Sequence, residues 1–156
     1  MTSAVSPEGY EPGMLALREG PLLEAAVRGL PVLPDVLLVD ATGRDHPRRA
    51  GLALQLGAVL CVPTVGLTDR PLLARGEEPP DERGAASPLE IEGEKVGYLL
   101  RTKPGTRPIC VHAAWRTMPE VALEVVLAVT GVMRTPEPLR VARTAARDAR
   151  AHDLGR

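Results

Sequence analysis

Residues 34–43 read Pro34-Asp35-Val36-Leu37-Leu38-Val39-Asp40-Ala41-Thr42-Gly43. Four apolar side chains in a row, without polar alternation, describe a strand covered on both faces, the habit of a parallel sheet. The run stops at Asp40. A carboxylate there sits at the carboxyl end of a strand, where α/β proteins gather ligands. An aspartate that closes a turn or caps a helix looks the same in sequence. Downstream, residues 48–56 fit a helix stopped by Gly57. Residues 58–62 fit a second apolar strand, cut off by Pro63. Strand, helix, strand at this spacing predicts a parallel βαβ unit with a right-handed crossover.

Working outward, residues 14–28 carry Met14, Leu15, Leu17, Leu22, Leu23, Ala26 and Val27 at helical spacing, with Gly29 at the stop. Gly20-Pro21 is a point of kinking. Residues 69–88 crowd Pro, Gly and charge into a surface loop. Residues 95–101 and 109–113 predict strands, joined through Pro104-Gly105 as an antiparallel hairpin. Pro119 opens a helix to Thr130, and Pro138 opens an amphipathic helix to about Ala151. The expected architecture is one α/β domain over residues 10–151 whose sheet mixes parallel and antiparallel pairs. A flexible lead-in over 1–9 precedes it and a tail over 152–156 follows.

The totals suit that reading. A chain of 156 residues, 44% hydrophobic and 25% charged, can bury one core and has little room for a second. No apolar run approaches the ~20 residues a bilayer span needs, and the first nine residues lack the basic start and apolar stretch of a signal peptide. A cytoplasmic protein without a membrane partner is the expectation. The net charge of −1 does not favour a large electrostatic grip on nucleic acid and leaves room for a local basic patch. Aromatic residues are 2% of the chain, so an aromatic base-stacking platform is not expected. Cys61 and Cys110 lie in apolar runs and are expected to be buried, inert thiols.

Asp40 is the leading candidate for chemistry. Glu19, on the first helix, is either an ordinary exposed glutamate or the partner that completes a carboxylate pair for Mg²⁺. Arg48 and Arg49 follow Asp45-His46-Pro47 at the expected start of a helix. Two arginines there oppose the helix dipole, and a phosphate held bidentately would account for them; a solvated first turn is the alternative. His112 in a strand reads as a core or rim histidine.

The motifs together resemble the endonuclease V family, a DNA-repair family. Tyr10-Glu11-Pro12-Gly13, Leu15 and Arg18-Glu19 are similar to its Y-I-P-G-F-L-x-F-R-E segment. Residues 34–40 resemble its P-D-L-x-x-V-D strand. Gly43, His46-Pro47-Arg48-Arg49 and Gly51 fit G-x-x-H-P-R-R-x-G; residues 62–67 fit V-P-T-I-G-V; Pro136-Glu137-Pro138 with Arg140 and Ala142 fits L-P-E-P-x-R-x-A. Order and intervals agree over residues 9–143. The resemblance implies a ribonuclease H-like mixed sheet flanked by helices, and Mg²⁺-dependent hydrolysis of a phosphodiester near deoxyinosine in DNA or inosine in RNA. It makes Glu19 and Asp40 metal ligands, and Tyr10 and Pro12 part of a wedge between bases. It sets His46, Arg48 and Arg49 beside the strand being cut, and Gly66 in the base pocket.

Four departures stand beside the match. The family carries strands before its Y-I-P-G segment, with an essential Asp on the first; nine residues without an Asp precede Tyr10 here. Trp115 stands where the family's Gly-His-Arg has a His read as catalytic, and with Arg116 it is taken as a nucleic-acid- or substrate-binding residue. Asp69 stands where the family has Lys. Ala41-Thr42 replace Gly-His. Lost groups that act on one transition state should cost orders of magnitude together, so little cleavage is expected of this chain alone. The strand ending in Asp40 would be an open edge, which invites pairing with a second copy or another protein. The alternatives are a repurposed enzyme using the acidic remnant on a small molecule, and a non-catalytic subunit completed by a partner.

Overall fold

The computed structural model describes residues 15–154; Tyr10 and Pro12 lie outside them. Helix α1 spans Leu15–Arg28 and takes Pro21 within its length. Strand β1 spans Leu37–Val39, helix α2 Leu52–Leu60 and strand β2 Thr64–Thr68. Strands β3 (Ala86–Ile91), β4 (Glu94–Leu100) and β5 (Ile109–Ala113) follow, then helices α3 (Pro119–Ala128) and α4 (Glu137–Leu154). The sheet order is β1-β2-β5-β4-β3. The pair β1–β2 is parallel, and the other three pairs are antiparallel.

The βαβ unit is present, but its register along the chain is later than the sequence suggests. The helix begins at Leu52, not at residue 48, with Gly51 as its extended N-cap. Gly57 is inside the helix rather than at its stop, because a Cβ there would lie 2.5 Å from Thr64 Oγ1 and from Trp115 Cβ. The strand is then Thr64–Thr68, after Pro63 rather than before it. Residues 41–50 are spent crossing the sheet face. Thr42 and Gly43 accept the N–H groups of Ala53 and Gly51, and Arg44 donates to Ala113 on β5. Gly66 lies directly beneath this crossing: a Cβ on it would sit 2.4 Å from the Ala41 carbonyl oxygen.

Strand β3 falls partly inside the stretch read as a loop. It pairs with β4 through Glu92 and Gly93, both at positive φ (54° and 81°), as a tight two-residue hairpin requires. Two packed groups flank the sheet. Val27, Leu52, Leu56 and Leu60 join α1 and α2 to Val39; Val65, Leu100, Val111, Ala122, Val126 and Leu139 join the opposite face to α3 and the start of α4. Strand β1 is the edge of the sheet, and its Leu37 and Leu38 are half-buried, not buried on both faces as expected. Cys110 is buried as expected, but Cys61 is exposed at the end of α2, in a left-handed conformation with φ 56°. No helix among the described residues is long and apolar enough to cross a membrane.

Candidate functional site

Because β1 and β2 run parallel, the residues that follow them emerge at the same end of the sheet. These are Asp40 and Asp69. Strand β5 runs the other way and begins at that end, which places Arg107 and Pro108 there too. Helix α4 passes the same end. Its Leu139 is buried in the core, and one turn later Arg143 faces the sheet edge. Arg143 Nε and Nη2 donate to Asp40 Oδ2 at 3.0 and 2.7 Å. Arg134 Nη1 donates to Asp69 Oδ1 at 2.7 Å while its other nitrogens hold the carbonyls of Arg107 and Pro108. That hydrogen bond holds the Asp69 carboxyl below the usual carboxylate range. The exchange of a family lysine for Asp69 is therefore offset locally, since Arg134 brings a cation to the same place.

Two clefts open here. One, of about 580 Å³, is lined by Arg134, Arg140, Arg143 and Arg147 over Met133 and Ala146. The other, of about 410 Å³, is lined by Asp69, Arg70, Arg107 and Arg134. Arg134 belongs to both, so the arginines form one continuous border past Asp40 despite a net charge of −1.

Arg48 and Arg49 do not start a helix. They lie in the turn before α2, which removes the conflict with the helix dipole. Arg49 is committed to Glu92 (3.3 Å) and Glu94 (3.4 Å), and Arg48 is exposed. His46 is buried, and its Nδ1 accepts the Arg48 N–H at 3.2 Å. Gly66 is buried beneath the crossing loop. Glu19 is half-buried on α1. Trp115 N donates to Thr64 Oγ1 at 3.0 Å, and Arg116 lies against the indole. Asp40 follows Val39, which pairs with Gly66, and so stands level with Leu67, three residues or about 10 Å along the strand from Thr64, at ~3.3 Å per residue. Trp115 thus lies toward the opposite end of the strand from Asp40.

A divalent cation needs several oxygen ligands. Asp40 offers one carboxylate, with one oxygen engaged by Arg143. Among the described residues, no group of three or more His, Cys, Asp or Glu is placed to hold a metal. Mg²⁺ keeps several waters and is held by one or two carboxylates with substrate phosphates, so Asp40 would be one of its ligands.

Sequence reasoning missed two features. Arg143 was detectable only as the residue one turn beyond Leu139, once Leu139 is known to be buried. The other is a buried polar cluster. Asp45, fully buried, accepts the N–H groups of Leu72, Leu73 and Ala74 at 2.7, 2.7 and 2.8 Å. His112 Nε2 lies 2.8 Å from Thr68 Oγ1, whose own proton goes to the Arg70 carbonyl, so Nε2 is the donor. His112 Nδ1 is 4.0 Å from Asp45, too far for a hydrogen bond. Burial pushes the imidazole pKa down to about 4, against the smaller pull of Asp45. The imidazole is thus neutral at neutral pH, and the pair is not a salt bridge.

The fold and this edge define a ribonuclease H-like α/β protein with a carboxylate at the open end of a parallel strand pair and a basic border beside it. The chain belongs to the Endonuclease V family, whose model matches residues 2–144. Endonuclease V of Methanopyrus kandleri is 47% identical over 133 residues, which cover 85% of this chain and 57% of that protein. The chain thus spans less than two thirds of this relative's length. The structure of Endonuclease V from Streptomyces avermitilis superposes with a TM-score of 0.88 at 38% identity, covering 94% of this chain and 64% of that one. Ciona intestinalis Endonuclease V, bound to a 24mer DNA containing an inosine, shares the fold with a TM-score of 0.80 at 23% identity, covering 97% of this chain and 71% of that one.

Proposed function

We propose that the protein engages inosine- or deoxyinosine-containing nucleic acid along the edge that carries Asp40, and that this chain alone cleaves it weakly. The arginine-lined cleft opening beside Asp40 is the observation that carries the reading. Guanidinium groups pair with phosphates and bring the backbone to the carboxylate. The DNA-bound Ciona relative supports the inosine-containing class of ligand. Weak cleavage is read from Asp40, whose Oδ2 is engaged by the Arg143 guanidinium and whose hold on a divalent cation would gain from further oxygen ligands. The edge of β1 left unpaired among the described residues is where they would enter, since a strand added there lies beside Asp40. A second copy or a partner polypeptide is one source of such a strand.

The test is cleavage and binding of labelled single- and double-stranded deoxyinosine DNA and inosine RNA, with Mg²⁺ and Mn²⁺, beside Asp40→Ala. Binding with slow or no cutting is the expected result. Rapid cutting that disappears in Asp40→Ala would show that the described donors suffice, and would overturn the second half of the proposal. Absence of binding at low salt would overturn the first.

A further inference from the structure

The cleft beside Asp40 has two kinds of wall. Four arginines carry its charge, while Met133 and Ala146 supply its apolar lining. Val132, the residue before Met133, is 85% exposed, and Met133 itself 50%. Two consecutive large apolar side chains thus stand in water, and Met133 does so in the same cleft lining as a row of guanidinium groups. Phosphate binding alone gives no reason for an apolar lining. A duplex gives none either, because its bases are stacked inside. A single strand presents both chemistries at once: phosphates for the arginines, and unstacked bases for an apolar surface.

Charge along the cleft is not evenly neutralised. Arg134, Arg140 and Arg143 pair with Asp69, Glu137 and Asp40. The Arg147 guanidinium donates to the Thr144 hydroxyl at 3.4 Å and has no ion-pair partner among the described residues. Arg140 and Arg147 are two helical turns apart, about 10 Å along the axis, so each would meet a different phosphate. Beyond Leu139 nearly every side chain of α4 is exposed, which leaves the Arg147 end open to a long ligand. At the other end Arg134 passes the track to Arg107 and Arg70.

We propose that this cleft seats a single nucleic-acid strand, with Arg140 and Arg147 on its phosphates and Val132 and Met133 against a base, and delivers it to Asp40. The proposal rests on the nucleic-acid reading above and adds which strand state binds and where.

Binding is measured by fluorescence anisotropy of a short labelled single-stranded deoxyinosine oligonucleotide over a series of salt concentrations, with the same sequence as a duplex. Arg147→Gln is expected to weaken single-strand binding several-fold and to reduce the slope of log K against log salt by about 0.7, one phosphate contact. The double substitution Val132→Ser with Met133→Ser is expected to weaken binding with the slope unchanged. Arg75→Gln, on the far edge of the sheet beside Glu90, changes neither. All these side chains are exposed, and circular dichroism verifies folding. If single strands bind but neither cleft variant alters affinity, or if the duplex binds as tightly, the cleft assignment is wrong while the nucleic-acid reading stands. If no oligonucleotide binds at the lowest salt, both fall.

Discussion

Asp45 shows how one side chain can hold a loop. Its two oxygens accept three consecutive backbone N–H groups, from Leu72, Leu73 and Ala74. Asp45→Ala would leave these donors without their acceptor, and a loss of roughly 3 kcal/mol or more is expected in urea denaturation. Asp45→Asn keeps one acceptor oxygen and should lose less. His112 gives a pH signature beside it. Burial lowers its folded pKa to about 4 from the ordinary 6.5, so the unfolded chain takes up the proton first. The associated stability is whole above about 6.5 and falls away as pH drops from there toward 4. Denaturation midpoints measured across that range should decline, and His112→Gln should flatten the decline. An equal slope in the variant would assign it to other groups. Asp40 was legible from sequence because a buried run ends on it. Asp45 was not, because nothing in a Pro- and Arg-rich loop tells that its carboxylate turns inward onto residues 27 to 29 positions away.

Helix α4 is anchored at one end. Leu139 is buried among Val65, Ile109, Val126 and their neighbours, whereas the side chains from Arg140 to Asp148 are exposed. The Asp40–Arg143 contact lies at the surface and contributes at most about 1 kcal/mol. Leu139→Ala should therefore cost roughly 2–4 kcal/mol. Hydrogen exchange should show protection falling from the Leu139 turn toward the far end of the helix. Uniformly strong protection along α4 would mean that it is packed by something else. The start of α4 was readable from Pro138 and its amphipathic spacing. The start of α2 was not: Pro47 looks like a first-turn proline, but the chain needs residues 41–50 to cross the sheet before a helix fits. Strand β3 was obscured by Pro88, which is tolerated because β3 is an edge strand.

At the scale of the molecule, the exposed edge of β1 and the arginine border meet at Asp40. If a second copy adds to that edge, light scattering at micromolar concentration will give twice the monomer mass. A monodisperse monomer with no partner-dependent gain of activity would argue against edge completion. The sequence by itself determined the α/β class, the strand ending in Asp40, and the family, because apolar runs and tightly spaced motifs are local signals. Tertiary structure alone decided which charged groups share a site. It brought Arg143 and Arg134, 103 and 65 positions away in the chain, onto Asp40 and Asp69, and sent Trp115 to the far end of β5. Strand direction sets which end of a sheet each residue occupies, and that direction follows from pairing between distant segments, not from the residues themselves.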